Sequence, residues 1–315
     1  MIDNSLLSDI AGKYGIDLVG IVNKTLLSNI SDQVISANSG RKLAFFNGDI
    51  SERLDYKREM EDAEGIIAFG ISYASSLKMP DDGENRLRIS KCSYGEDYHE
   101  VLMRAGKALA EDIFSASDSK YKVFSDTGIF LDRIAAYCAG LGFYGKNNFI
   151  ISEQYGSFVF LGHILTDMPL DCDVCAAPNL CGTCEKCLNA CPAKAYKDSI
   201  LDYEKCASFI TQKTGGYGRG GYIYGCDICQ DVCPFNLTAP KDLHECFSTT
   251  IDKAFPKAEK LVNMKKSEFQ SLYGDSSLAW RGFERIKNNA VMYLSKKNKT
   301  DISAEQHKMD FHQDH

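Results

Sequence analysis

The sequence predicts a mixed α/β fold, of the α/β or α+β kind, with a small cysteine-rich unit in its second half. Three observations lead there. Short apolar and aromatic runs of strand character alternate with stretches of helical period. The 315 residues are 44% hydrophobic and 25% charged, an ordinary globular balance that suits one large domain plus a small one, or two domains. Eight of the 13 cysteines fall between Cys181 and Cys233.

Taken in order, residues 4–14 read as a short amphipathic helix and 16–22 as a strand. Residues 38–62 are polar and charged, with Arg41, Arg53 and Arg58 in a loop or at a helix edge; 64–73 form a second strand rich in Ile and aromatics. A long helix is expected from Glu96 to about Ser115, because Tyr98, Leu102, Ala105, Leu109 and Ile113 share one face. There follow a strand at 121–124, a turn at 125–128, a helix from Leu131 to Leu141, and strands at 148–152 and 157–166. Composition changes at Asp171, and after Pro240 the chain turns helical again, with Phe283, Ile286, Ala290 and Leu294 on one apolar face. The expected division is a core over 1–170, a cysteine-rich domain over 171–240, a helical segment over 241–296 and a frayed polar tail over 297–315.

No stretch has the charged and apolar regions of a signal peptide, and no apolar run approaches the roughly 18 residues of a membrane helix. The net charge of −7 argues against broad non-specific nucleic-acid binding but leaves room for a local basic face. Cysteines in cluster spacing need reduced thiolates, which points to the cytoplasm.

The chemistry is densest in the cysteine runs. Cys181, Cys184, Cys187 and Cys191-Pro192 follow C-x2-C-x2-C-x3-C-P, the bacterial ferredoxin spacing for a [4Fe–4S] cluster. The second run, Cys226, Cys229 and Cys233-Pro234, lacks its first cysteine, since Ile223 stands there; the isolated Cys206 can replace it. The fourth cysteine of each run serves the other cluster in two-cluster ferredoxins. The ligand sets are then Cys181, Cys184, Cys187 with Cys233, and Cys191, Cys206, Cys226 with Cys229. Zinc knuckles come as separated C-x2-C pairs without the trailing Cys-Pro. Cys172 and Cys175 lie outside both sets and read as spare thiols.

A second constellation spans 125–166. Asp126 stands at a strand end, and Asp132 and Arg133 open the next helix. Gly140, Gly142 and Gly145 match G-x-G-x-x-G by letter, but they follow a helix and precede a strand. A dinucleotide fingerprint needs the opposite order, so a helix C-cap with tight turns is expected. Asp97 and His99 open a D-x-H pattern that fails at Leu102, where cobalt-ligating motifs need glycine.

The chain resembles the epoxyqueuosine reductases, cobalamin- and iron–sulfur-dependent enzymes that complete queuosine in tRNA. The resemblance is carried by Ser90-Lys91-Cys92, Gly95 to His99, Asp126-Thr127-Gly128, Leu131-Asp132-Arg133, Ala139 to Gly142, Gly145-Lys146-Asn147, Gly156-Ser157, Leu161-Gly162 and Gly225 to Gln230. It covers roughly residues 40–240. It implies a nitroreductase-like cobalamin-binding core beside an inserted ferredoxin-like domain, with two [4Fe–4S] clusters and base-off cobalamin. It implies Asp126 as proton donor and Arg133 as a substrate-side residue. Cobalamin contacts are implied at Arg53, Cys92, Asp126, Lys146, Asn147, Ile150, Ser152 and Asp227. It further implies tRNA as partner, a ferredoxin or flavodoxin as electron donor, no membrane association, and a monomer. The chain departs from the family pattern at Ile129, at 209–213 and in lacking the C-terminal helical repeat domain of longer members. Two alternatives stand beside this: a paralogue reducing another small substrate, and an activator that reduces a partner's corrinoid. A basic patch of Lys194, Lys197, Lys205, Lys213 and Arg219 would favour tRNA.

Overall fold

The computed structural model describes residues 4–30, 50–170, 172, 177–197, 200–213, 216, 218 and 220–310, with side chains through 296. Arg41, Cys175, Arg219, His307, His312 and His315 lie outside the described residues or side chains.

Helix α1 (Asn4–Gly12) leads into strand β1 (Leu18–Ile21), which is followed by β2 (Gly65–Ser72) and β3 (Arg88–Ile89). Helix α2 (Tyr98–Phe114), β4 (Tyr121–Phe124), α3 (Asp132–Cys138), the hairpin β5 (Phe143–Tyr144) with β6 (Ile150–Ile151), and β7 (Val159–Thr166) complete this part. Strands β1, β2, β7 and β4 form one antiparallel sheet in that order.

All eight residues of β2 are buried, so both faces of the sheet must be covered. Successive side chains of a strand point to opposite faces. Ile67, Phe69 and Ile71 accordingly pack against Leu7 and Ala11 of α1 and Leu102, Leu109 and Phe114 of α2. Ile66 and Ala68 pack on the other side with Ile134, Ala135 and Cys138 of α3. The result is a helix–sheet–helix sandwich. Gly106 lets α2 lie close to the sheet: a Cβ there would stand 2.6 Å from Val123 and 2.7 Å from Phe69. Leu102 is fully buried in this core, which explains why the D-x-H pattern does not continue.

The glycine-rich turn is the C-cap expected of it. Gly140 has φ 74°, and the N–H groups of Gly140 and Leu141 donate to Tyr137 O and Ala136 O, closing α3.

The cysteine-rich stretch contains helices α4 (Lys186–Ala190), α5 (Ala207–Lys213), α6 (Ile228–Asp231) and α7 (Pro234–Thr238), and strands β8 (Tyr196–Lys197), β9 (Ile200–Leu201) and β10 (Tyr222–Tyr224). Strand β10 pairs in parallel with β3, a contact absent from the sequence reading because two residues carry no periodicity. Ile223, the residue in place of a cysteine, is fully buried beside Leu87 and Ile89.

Helices α8 (Ile251–Ala254), α9 (Ala258–Asn263), α10 (Lys266–Tyr273) and α11 (Phe283–Asp310) cover that joint with Leu261, Phe269, Phe283, Ile286 and Ala290. The buried Asn289 fastens them: its Oδ1 accepts from Gly216 N at 2.8 Å, and its Nδ2 donates to Thr211 O and Ile223 O, each at 2.9 Å. Among the described residues no helix is long and apolar enough to cross a membrane.

Candidate active site

Asp126 lies just past β4 with φ 54°, a left-handed conformation uncommon outside glycine and most tolerated by Asn and Asp. Such a residue persists only where its surroundings hold it. Here the loop that carries it, 125–131, is fastened to buried charges. The N–H of Asp126 donates to Asp132 Oδ2 at 3.2 Å; those of Ile129 and Phe130 donate to Glu59 Oε1; that of Leu131 donates to Arg53 O at 3.1 Å.

Between the two carboxylates lies His163 on β7. Its Nδ1 is 2.6 Å from Asp132 Oδ1 and its Nε2 3.4 Å from Glu59 Oε2, and its side chain is wholly buried. Burial alone would lower the imidazole pKa, but Asp132 and Glu59 together raise it to about 9, so it is an imidazolium near neutral pH. Burial opposes ionisation of Glu59 as well, yet His163 and the loop N–H groups hold it below its ordinary value. Burial pushes Asp132 upward against the pull of His163. Asp132 is therefore neither a surface charge nor the partner of Arg133.

Asp126 itself is exposed rather than buried, and Tyr98 OH donates to its Oδ2 at 2.7 Å. It does not cap α3, whose N-cap is Leu131 with no side-chain bond. Tyr98 stacks on Phe160 at 4.2 Å, and Phe160 on Tyr73 at 3.9 Å, an aromatic layer under the loop. Burial, with the negative charges of Asp227 and Asp126, pushes the Cys92 thiol up to about 12 against the opposing hydrogen bond from Ser90, so it is a neutral thiol. Arg133 lowers the otherwise raised phenol of the buried Tyr73; its Nη1 donates to Asn148 O at 2.8 Å and it lies over Phe149. Asp126 and Asp227 both act on Cys92, and Cys92, Asp227 and Arg133 all act on Tyr73.

Asp227 ties the cysteine-rich stretch to this centre. Buried between Cys226 and Ile228, it accepts from Ser90 Oγ and, at 2.8 Å, from Lys91 N. Gly225, at φ 64°, has no room for a Cβ, which would stand 2.4 Å from that of Ser90. A cavity of about 390 Å³ opens beside Asp227, Lys91 and Tyr222.

The eight cysteines of this stretch act on one another electrostatically. The charges of Cys181 and Cys233 act on Cys187, and those of Cys181 and Cys184 on Cys233. Cys191 acts on Cys206, Cys206 and Cys191 on Cys226, and Cys226 and Cys206 on Cys229. All twelve described cysteines are free thiols. Cys172 faces away, its Sγ donating to Ile21 O at 2.9 Å.

The other expected contacts divide. Lys146 N faces Cys181 Sγ at 3.5 Å, and Asn147 O accepts from Tyr196 OH, which also contacts the Cys229 thiol; the Lys146–Asn147 turn therefore stands between Cys181 and Cys229. Asn147 Nδ2 and Ser125 Oγ are buried without a hydrogen-bond partner, donors fit for an additional polar group. Ile150 is buried in the core with Leu141, and Ser152 Oγ accepts from Gln154 N and Tyr155 N in a turn. Of the basic residues, Lys205 pairs with Asp202 and Lys213 lies over Phe209. Glu59 and His163 were not singled out by sequence, and Tyr98 only as part of a helix face and of the Gly95–His99 segment. The one local signal was a histidine inside the apolar run at 157–166.

Fold and site define a mixed α/β protein in which an acidic loop faces a segment built for two iron–sulfur clusters. The description "Epoxyqueuosine reductase QueG, DUF1730" matches residues 53–127, and "4Fe-4S double cluster binding domain" matches 180–236. The epoxyqueuosine reductase of Lactococcus garvieae is 37% identical over 82% of this chain and 77% of its own length. The crystal structure of an epoxyqueuosine reductase with an epoxyqueuosine-modified tRNA-Tyr stem loop aligns at a TM-score of 0.81, with 32% identity over 92% of this chain and 80% of that one. The Bacillus subtilis enzyme, with its catalytic aspartate loop swung out of the active site, aligns at a TM-score of 0.83 and 32% identity over the same shares. The chain belongs to the epoxyqueuosine reductase family.

Two outcomes are expected. Cys206→Ala will lose one cluster of two, seen as about half the iron and sulfide of the reconstituted protein, while Cys172→Ala will retain both; the reverse pattern overturns the ligand sets. His163 holds its proton more tightly folded than unfolded, about 9 against 6.5, so its contribution is full below pH 6.5 and lost as pH rises through 9. His163→Asn will lower the urea midpoint at about pH 6, on the order of 3 kcal/mol at most, and the gap to wild type will narrow toward about pH 10. A gap independent of pH contradicts a charged His163.

Proposed function

We propose that the chain reduces epoxyqueuosine to queuosine in tRNA, with Asp126 as the proton donor to the departing oxygen. The observation that carries this is the placing of Asp126: an accessible carboxylate in left-handed backbone, fixed by the Glu59–His163–Asp132 charges. It acts on the Cys92 thiol, as does Asp227, the residue next to Cys226. Opening the epoxide breaks both carbon–oxygen bonds, forms a carbon–carbon double bond and releases water, taking up two electrons and two protons.

Cobalamin, bound base-off, supplies a metal centre able to pass on electrons that the clusters deliver singly. Asn147 and Ser125 offer it unpartnered donors, Cys92 a neutral thiol, and Asp227 and Lys91 the cavity beside them, in a core of nitroreductase-like type. No histidine is offered to cobalt from the Asp97–His99 pattern, since Asp97 Oδ1 holds His99 Nδ1 at 2.6 Å. Arg133 stands on the substrate side. Tyr98, its phenol raised by burial and by Asp126, orients that carboxylate and keeps its own proton. Docked substrate then excludes water from an acid that the folded chain leaves exposed.

A ferredoxin or flavodoxin serves as donor to a monomer in the cytoplasm. The units are the core over 1–170, a ferredoxin-like insert over 171–240 and C-terminal helices over 241–310, the last of which runs through most of the stretch expected to be a frayed tail. An activator of a partner's corrinoid needs no such acid, and the held Asp126 favours an enzyme.

Asp126→Asn tests the acid role with little backbone disturbance, since Asn tolerates the left-handed conformation equally. Both clusters and bound cobalamin will be retained while turnover falls by roughly 10²-fold or more. Near-normal turnover removes Asp126 as acid.

A further inference from the structure

Trp280 is the only tryptophan of the chain, and 69% of it is exposed. It is the most exposed large hydrophobic side chain among the described residues. Flexibility does not account for this, because the 3-10 turn that carries it (Ser277–Arg281) is tightly held. Leu278 is fully buried, Ser277 Oγ donates to Cys92 O at 3.0 Å, and Asp97 N donates to Asp275 O at 2.7 Å. The indole is displayed on a rigid base built from the same residues that frame the active site.

Its neighbours connect it to Asp126. The His99 ring meets the indole edge-on at 6.0 Å and stacks on Tyr98 at 4.0 Å, and Tyr98 donates to Asp126. Arg281 lies over the indole at 4.5 Å from its centroid, and Arg285 and Lys213 stand further along, joined by a bond from Arg285 Nη1 to Lys213 O at 2.8 Å. Arg281 thus sets a positive charge beside an exposed aromatic face. The combination is how proteins hold unpaired nucleotides: bases stack on the aromatic face and cations meet the phosphates.

Building on the proposed action on tRNA, we infer that Trp280 is a stacking platform for an unpaired base of the substrate RNA, flanking the nucleotide presented to Asp126. Arg281 and Arg285 are placed to meet the adjoining phosphates.

A single tryptophan makes the test direct. The reconstituted protein is titrated with an unmodified RNA stem-loop and, separately, with a fully paired RNA duplex, following Trp280 fluorescence and, by filter binding, affinity. The stem-loop will quench the emission and the duplex will not. Trp280→Ala will weaken stem-loop binding by roughly 5- to 150-fold, the range of one base–aromatic stack, and Trp280→Phe will restore most of it. Unchanged cluster absorbance in both variants will show that the fold is intact. Stem-loop binding by wild type with no quench and no loss in Trp280→Ala overturns the platform and leaves the reductase proposal standing. No stem-loop binding by wild type overturns both. Emission that changes with protein concentration and is insensitive to RNA assigns the indole to contact between two copies, and overturns the platform too.

Discussion

One buried imidazolium holds the active-site loop in place. His163 sits in the middle of β7 and reaches two carboxylates from opposite ends of the chain segment it organises, Glu59 before β2 and Asp132 at the start of α3. Each carboxylate also accepts loop N–H groups, so the backbone from Asp126 to Phe130 is fixed by ionic groups rather than by packing alone. A buried charge is costly unless paired and hydrogen-bonded. Here the pairing is complete on both ring nitrogens, and what it secures is a strained φ at an acidic residue that could otherwise relax. The same arrangement explains why Asp126 can stand exposed without being mobile in orientation, with Tyr98 holding the carboxylate from the other side.

The second constraint joins the iron–sulfur segment to the core. Parallel pairing of β3 with β10, the Asp227 contacts to Ser90 and Lys91, and Asn289 beneath them bring Cys226 and Cys229 to the side of the sheet where Cys92 lies. The Lys146–Asn147 turn touches the other cysteine group through Cys181. Under the proposed function, electrons would reach this centre through the cysteine groups and protons through the Asp126 loop. That division of labour is what a two-electron, two-proton removal of oxygen requires.

Much of this was legible in sequence. The positions of the four strands that form the sheet, α2 and its apolar face followed from periodicity, and the C-cap at Gly140 from the order of helix, glycines and strand. Spacing marked the cysteine-rich stretch as one for two [4Fe–4S] clusters, as the match over residues 180–236 bears out, and picked out the substitution of Ile223 for a cysteine. The structure adds the reason for that substitution: residue 223 belongs to the core under the C-terminal helices. What sequence could not show depends on long-range pairing. Glu59 and His163 are 104 positions apart, and β3 is two residues long, so neither leaves a local pattern. Asp126 stands exposed because the loop points outward, its fastening lying in the backbone rather than the carboxylate.

The central claim is tested most directly by presenting the reconstituted, reduced protein with tRNA carrying epoxyqueuosine and analysing the released nucleosides by mass spectrometry. The proposed function predicts loss of one oxygen from that nucleoside, two electrons consumed per oxygen, and queuosine as the product. Recovery of the epoxide unchanged, from a protein whose clusters and cobalamin are loaded and reduced, would contradict it.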